Sequence, residues 1–130
     1  MGYKESRITN DIRLRASQMG IRLFRNNVGL FQTLTGVKVR TGLAIGSADL
    51  IGWASFERTQ DNVPFSIFTS IEVKTKSGTV TNAQKNWSHR VAIGGGIALV
   101  VRSVRDFETS MQGVLNSWEK RGMRLVSSGG

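Results

Sequence analysis

In residues 65–73, a mostly apolar run rich in strand-forming side chains, one carboxylate interrupts the pattern and an ammonium follows at once: Ile71-Glu72-Val73-Lys74. Successive side chains on a strand alternate faces, so Glu72 and Lys74 project together while Ile71 and Val73 go to the opposite side. A chain of this kind must fold so that an acid and a base share one side of a core strand. An unpaired buried charge costs on the order of several kcal/mol, so these groups need partners or a task. Earlier in the chain, Gly46-Ser47-Ala48-Asp49 leads directly into a second apolar run, Leu50-Ile51-Gly52-Trp53-Ala54.

Carboxylates from neighbouring strands can hold a hard divalent cation such as Mg2+, which prefers oxygen ligands and keeps waters in its shell. Lys74 would then orient or deprotonate a water, or stabilise charge on a phosphoryl group in flight. The same residues also read as a Glu72–Lys74 ion pair on a half-exposed sheet, with Asp49 closing a turn. Spacing alone does not choose between the two.

Composition narrows the classes. A chain of 130 residues suffices for one core. We expect one domain over residues 1–118 and a C-terminal extension over 119–130 ending in an unstructured Ser127-Ser128-Gly129-Gly130. No stretch approaches the roughly 20 apolar residues of a membrane span, and Met1-Gly2-Tyr3-Lys4-Glu5 lacks a signal-peptide apolar region. The expectation is a soluble cytoplasmic protein without membrane association. Zero cysteines and a single histidine, His89, leave carboxylates and carbonyls as the metal ligands available.

Eighteen Lys and Arg against nine Asp and Glu give a formal charge of +9. That excess is the footprint of a polyanion partner, most simply nucleic acid, although charge alone supports binding and not cleavage. Residues 1–40 carry eight bases against two acids, Glu5 and Asp11. Arg7, Arg22, Arg25, Lys38 and Arg40, together with Lys76 beyond the acid-base strand, are the expected phosphate contacts.

Apolar periodicity predicts a helix over residues 3–19, with Ile8, Ile12, Ala16 and Met19 on one face and Gly20 as its stop. Glu5, three residues before Ile8, shares the inward face; it can reach a metal site or simply favour the positive end of the helix dipole. A strand over 21–25 ends in Asn26-Asn27, a pair suited to turns and left-handed backbone. Val37 and Val39 alternate with Lys38 and Arg40 in a short ribbon or loop with a basic face, suited to a phosphate backbone or to a solvated edge. A strand over 50–56 is followed by a polar hairpin connection, residues 57–63.

After Lys74, Thr81 and Gln84 form a capping box that opens a helix to about Ile93. That box gives Gln84 a structural role, which it could not fill at the same moment as any other task. Trp87 and Val91 are expected to face the sheet, and His89 the surface. Gly94-Gly95-Gly96 ends the helix, and without a following Gly-Lys-Ser/Thr it is no phosphate loop. Residues 97–101 read as a strand buried on both faces. Ser103 caps a last helix to about Trp118, whose stripe of Phe107, Met111, Val114, Leu115 and Trp118 is wide enough to suggest a dimer surface.

Taken in order, Glu5-Ser6, Arg25-Asn26-Asn27-Val28-Gly29, the 46–52 segment, Ile71-Glu72-Val73-Lys74-Thr75, Gln84 and Gly95-Gly96 resemble the virus-type replication-repair nuclease (VRR-NUC) domain of the PD-(D/E)XK superfamily, over roughly residues 3–107. The proline that usually precedes the first aspartate is Ala48 here. The resemblance implies an α/β restriction-endonuclease-like core, a mixed central sheet flanked by helices. It implies Mg2+ or Mn2+ ligated by Asp49, Glu72 and the Val73 carbonyl, with Glu5 helping to form the metal site. It further implies Lys74 as the catalytic base or charge stabiliser and Gln84 as a pocket residue. Stand-alone, phage-like relatives act as homodimers on branched DNA such as four-way junctions. The alternatives kept open are a non-catalytic nucleic-acid-binding module and a sequence-reading restriction-type endonuclease.

Overall fold

Helix α1 (Tyr3–Gln18) begins the fold and ends where the sequence places its stop, with Gly20 at φ 85°. The computed structural model describes residues 3–126, with side chains from Glu5 onward; the tail expected to be unstructured, Ser127-Ser128-Gly129-Gly130, lies outside the described residues. Ile12 and Ala16 of α1 are fully buried, and Ile8 and Met19 pack at the edges of the same stripe.

The strands are β1 (Ile21–Arg25), β2 (Gly29–Gln32), β3 (Lys38–Thr41), β4 (Leu50–Arg58), β5 (Pro64–Val73), β6 (Ile97–Val101) and β7 (Met123–Leu125). The main sheet runs β1-β4-β5-β6, with β7 paired to the far end of β4 beside β1. Among the described residues only β5 and β6 run parallel, and that connection needs a crossover, which α2 (Asn82–Ile93) supplies. β2 and β3 form a separate two-stranded ribbon. The result is the mixed sheet flanked by helices that the sequence implied.

One face of the sheet carries Ile21, Leu23, Leu50, Ala54, Phe56, Ile71 and Val73, and is closed by α1 and by α3 (Val104–Glu119) through Phe107 and Met111. The α3 stripe is therefore not left for a dimer: Val114, Leu115 and Trp118 pack on this core, Trp118 stacking on Phe56 at 5.0 Å. Period shows which side of a helix is apolar but not what covers it. The opposite face is only partly covered by α2, through a Trp87 Nε1 to Ser70 Oγ hydrogen bond of 2.8 Å and an edge contact of Trp87 with Phe68.

Three expectations change. β6 is not buried on both faces, because it forms the sheet's edge and its middle residues Ala98, Leu99 and Val100 are half-buried. β4 takes up Glu57 and Arg58, shortening the polar connection. Residues 123–125, expected within an extension, instead pair with Phe56, Glu57 and Arg58 and join the sheet.

Candidate active site

Asp49 heads β4 and Glu72 lies near the end of β5. These strands pair antiparallel with Leu50 opposite Ile71. One step further along that register sets Asp49 opposite Glu72, so strand pairing erases their separation in sequence. Ile71 and Val73 enter the core, and Glu72 takes the other face, as alternation requires. Glu72 is nonetheless only 3% exposed.

Every oxygen of the pair that the hydrogen bonds define is aimed. Asp49 Oδ2 accepts the Val73 N–H at 2.9 Å. Glu72 Oε2 accepts from Gln84 Nε2 at 2.9 Å and lies 4.0 Å from Lys74 Nζ. Burial, and then the adjacent Asp49 charge, push the Glu72 carboxyl up to about 8, with Lys74 opposing them only in part. Glu72 thus takes up a proton more readily than an ordinary carboxyl.

Gln84 does what the sequence seemed to forbid. Its Oε1 accepts the Thr81 N–H at 2.9 Å, completing the capping box, while its Nε2 reaches Glu72. An amide has an acceptor end and a donor end, so the two tasks do not compete.

The loop before Asp49 is fixed by Asn26, which is buried. Its Nδ2 donates to Ser47 Oγ at 2.7 Å and to the Ala48 carbonyl at 2.8 Å, its Oδ1 accepts the Leu43 N–H, and its own N–H donates to the Asp49 carbonyl. These bonds hold a turn that lacks proline at position 48. Gly46, at φ 88°, lies so close to α2 that a Cβ there would come within 2.6 Å of the Ala83 carbonyl group. The Asn26-Asn27 pair itself is not left-handed; among the described non-glycine residues, Asn62 alone has positive φ. On the other side, Arg102 Nη1 donates to the Thr75 and Gly78 carbonyls at 2.6 and 2.7 Å and ties down the loop after Lys74. Asn26 stood in the sequence only as a turn residue and a family motif, and Arg102 carried no local signal, because both act on backbone far away in sequence.

A cleft of about 420 Å³ opens over Asp49 and Glu72, walled by Asn26, Gly46, Ser47 and Gln84. Glu5 does not line it, and among the described residues no three His, Cys, Asp or Glu side chains come together as a metal group. Glu5 is half-buried in the first turn of α1. What the site offers is two carboxylates, with neither thiol nor imidazole in the cleft wall. That donor set fits a hard divalent cation that completes its shell with water.

Of the expected phosphate contacts, Arg7, Arg22, Lys38, Arg40 and Lys76 are exposed. Arg25 is half-buried and its guanidinium is held by Asn10 Oδ1 at 2.5 Å, so it braces β1 against α1. His89 is exposed, as expected.

Comparison with known proteins gives the family and the fold. The family model of the VRR-NUC domain matches residues 6–105. A solved chain described as a VRR_NUC domain protein superimposes with a TM-score of 0.50 at 17% identity, covering 87% of this chain and 88% of its own, a likeness of fold. No curated protein matches the sequence.

Proposed function

This chain belongs to the VRR-NUC domain family, nucleases of PD-(D/E)XK type, and from that premise we propose that it is a divalent-metal-dependent DNA endonuclease selective for branched DNA. The observation that carries the reading is the opposition of Asp49 and Glu72 across the β4–β5 pair, with Lys74 beside Glu72, in an open cleft.

In this reading Asp49 and Glu72 hold Mg2+ or Mn2+, and the Val73 carbonyl is the further ligand. A cation held there supplies positive charge to a phosphodiester under attack. Asp49 is oriented by the Val73 N–H and Glu72 by the Gln84 amide, so neither carboxylate must reorganise when the cation arrives. Lys74, with its ammonium 4.0 Å from Glu72 Oε2, would take a proton from water or stabilise charge on phosphate. Glu5 of the first helix helps form the metal site, directly or through water, and Gln84 is a positioning residue acting through Glu72. The formal +9 charge, with Arg7, Arg22, Lys38, Arg40 and Lys76 exposed, supports a DNA substrate.

We further assign the homodimer expected of such a nuclease to the sheet face that α2 leaves open. There Phe24, Trp53 and Phe68 stay 41–50% exposed in adjacent strands, the Phe24 and Trp53 rings 5.7 Å apart. Two-fold symmetry would pair two cleavage sites. Among the described residues no helix is long and apolar enough to cross a membrane.

Incubation with four-way, flap and plain duplex DNA in Mg2+, Mn2+ or EDTA tests the function. Cleavage in either metal, abolished by EDTA and fastest on branched DNA, is expected. Binding without cleavage in any metal would leave a nucleic-acid-binding module in its place.

A further inference from the structure

We propose that the β2–β3 ribbon is an arm that reads the branch point itself, with Leu34 at its tip laid against the base-pair face that a junction exposes. The inference rests on the DNA-directed reading above and adds to it the element that recognises the branch.

Residues 30–40 are all exposed, and neither strand of the ribbon joins the main sheet. The arm extends on the order of 20 Å at strand rise. Yet it carries five large apolar side chains, Leu30, Phe31, Leu34, Val37 and Val39, which find no burial in the subunit. An exposed apolar cluster of this kind marks a binding surface. Its tip is an ordered turn: Thr33 N–H donates to the Val37 carbonyl at 2.8 Å, Gly36 N–H to the Thr33 carbonyl at 2.9 Å, and Val37 N–H to Thr33 Oγ1 at 3.1 Å. Leu34 projects from that turn completely exposed.

The chemistry of the flanks selects the partner. Pairing of Leu30 with Arg40 and of Gln32 with Lys38 puts both cations on one side of the ribbon, and Phe31 opposite Val39 makes the other side apolar. No acid occurs anywhere from residue 12 to residue 48. A ribbon of this width enters a major groove, where Lys38 and Arg40 meet phosphates. To enter a continuous duplex, however, an apolar wedge must itself unstack a base step at a cost of about a few kcal/mol, a cost it escapes where bases are already unstacked. A branch point presents such bases.

The arm is also tied to the acids. Thr41 Oγ1 donates to the Asn27 carbonyl at 2.9 Å at the arm's base, and Asn26 joins Leu43 on one side to Asp49 on the other. Branch contact and phosphate position are thereby held at a set separation.

The test places 2-aminopurine beside the branch of a four-way junction, and at the same base in a linear duplex, in Ca2+ or EDTA so that binding is read without cleavage. Wild-type protein should raise the junction fluorescence several-fold. Leu34→Ser should abolish the rise and weaken junction binding about tenfold, with linear duplex affinity unchanged within twofold; Leu34→Met should retain both. Leu34 touches no core residue, and a circular dichroism melt of each variant checks the fold. Equal losses on junction and duplex, no loss on either, or a change in the mass of the free protein by light scattering would overturn the proposal, the last by showing the tip to be a subunit contact. Absence of junction binding by wild type would overturn it too. Intact binding and fluorescence without cleavage in Mg2+ or Mn2+ would sink only the nuclease reading.

Discussion

Gln84 Nε2 donates to Glu72 Oε2 across 2.9 Å, and the same side chain closes the first turn of α2 through its Oε1. The start of a helix and the aim of a buried acid are thus one structural unit. A change in how α2 begins is felt at Glu72, and rotation of the carboxylate forfeits the Gln84 Nε2 bond.

Two substitutions separate these tasks. Gln84→Glu keeps an acceptor for the capping box but sets a carboxylate against Glu72. Gln84→Leu removes both bonds. We expect Gln84→Leu to lower stability by about 1 kcal/mol, the usual worth of a cap. Gln84→Glu should melt within a few degrees of wild type, yet both should slow cleavage at least tenfold. Melting curves beside single-turnover rates distinguish the cases, and an unimpaired rate for Gln84→Glu would remove the positioning role.

Asp49→Ala and Glu72→Ala should each abolish metal-dependent cleavage with DNA affinity nearly intact, because a lost ligand affects the ion and few phosphate contacts. Lys74→Ala should reduce the rate by two or more orders of magnitude while metal still binds by calorimetry, its role being in the transition state. Loss of metal binding in Lys74→Ala would mean that the ammonium only orders the acids.

The raised Glu72 pKa makes a prediction about pH. Between the ordinary value of 4.5 and about 8 the folded protein holds a proton on Glu72 that the unfolded chain has released. Folding stability in EDTA should therefore fall as pH rises through that window and level off above it, by a few kcal/mol in total at ~1.4 kcal/mol per unit. Glu72→Gln should flatten the dependence and be the more stable protein at pH 8. Denaturant titrations at pH 5, 6.5 and 8 measure this; parallel curves for the two proteins would show that Glu72 titrates normally. Added Mg2+ should stabilise wild type most at pH 8, where no proton competes.

Trp53→Lys, on the open aromatic face, should convert a dimer to a monomer in light scattering at micromolar concentration, with little loss of stability because Trp53 is 41% exposed. Leu115→Lys on α3 should instead unfold the protein, since that stripe belongs to the subunit's own core. A wild-type monomer, or a dimer untouched by Trp53→Lys, would remove this face as the interface.

What the sequence by itself determined was everything that depends on near neighbours. Alternation along a strand puts Glu72 and Lys74 on one side, helical period turns Ile12 and Ala16 inward, and Thr81 with Gln84 spells a cap, because each of these is set by geometry within one turn or one pleat. The ordered motifs also carried the family and, through it, the fold. Only the tertiary structure decided which distant residues meet. The opposition of Asp49 to Glu72 depends on the register between β4 and β5, and the bracing of the site by Asn26 and Arg102 depends on side chains that reach backbone across 17 to 27 positions. It decided, too, that the α3 stripe is covered from within, that β6 stands at an edge and that β7 returns to β4. A periodic pattern records that a face avoids water; the surface that relieves it is assembled by the rest of the chain, and so is the cleft in which two acids come to face each other.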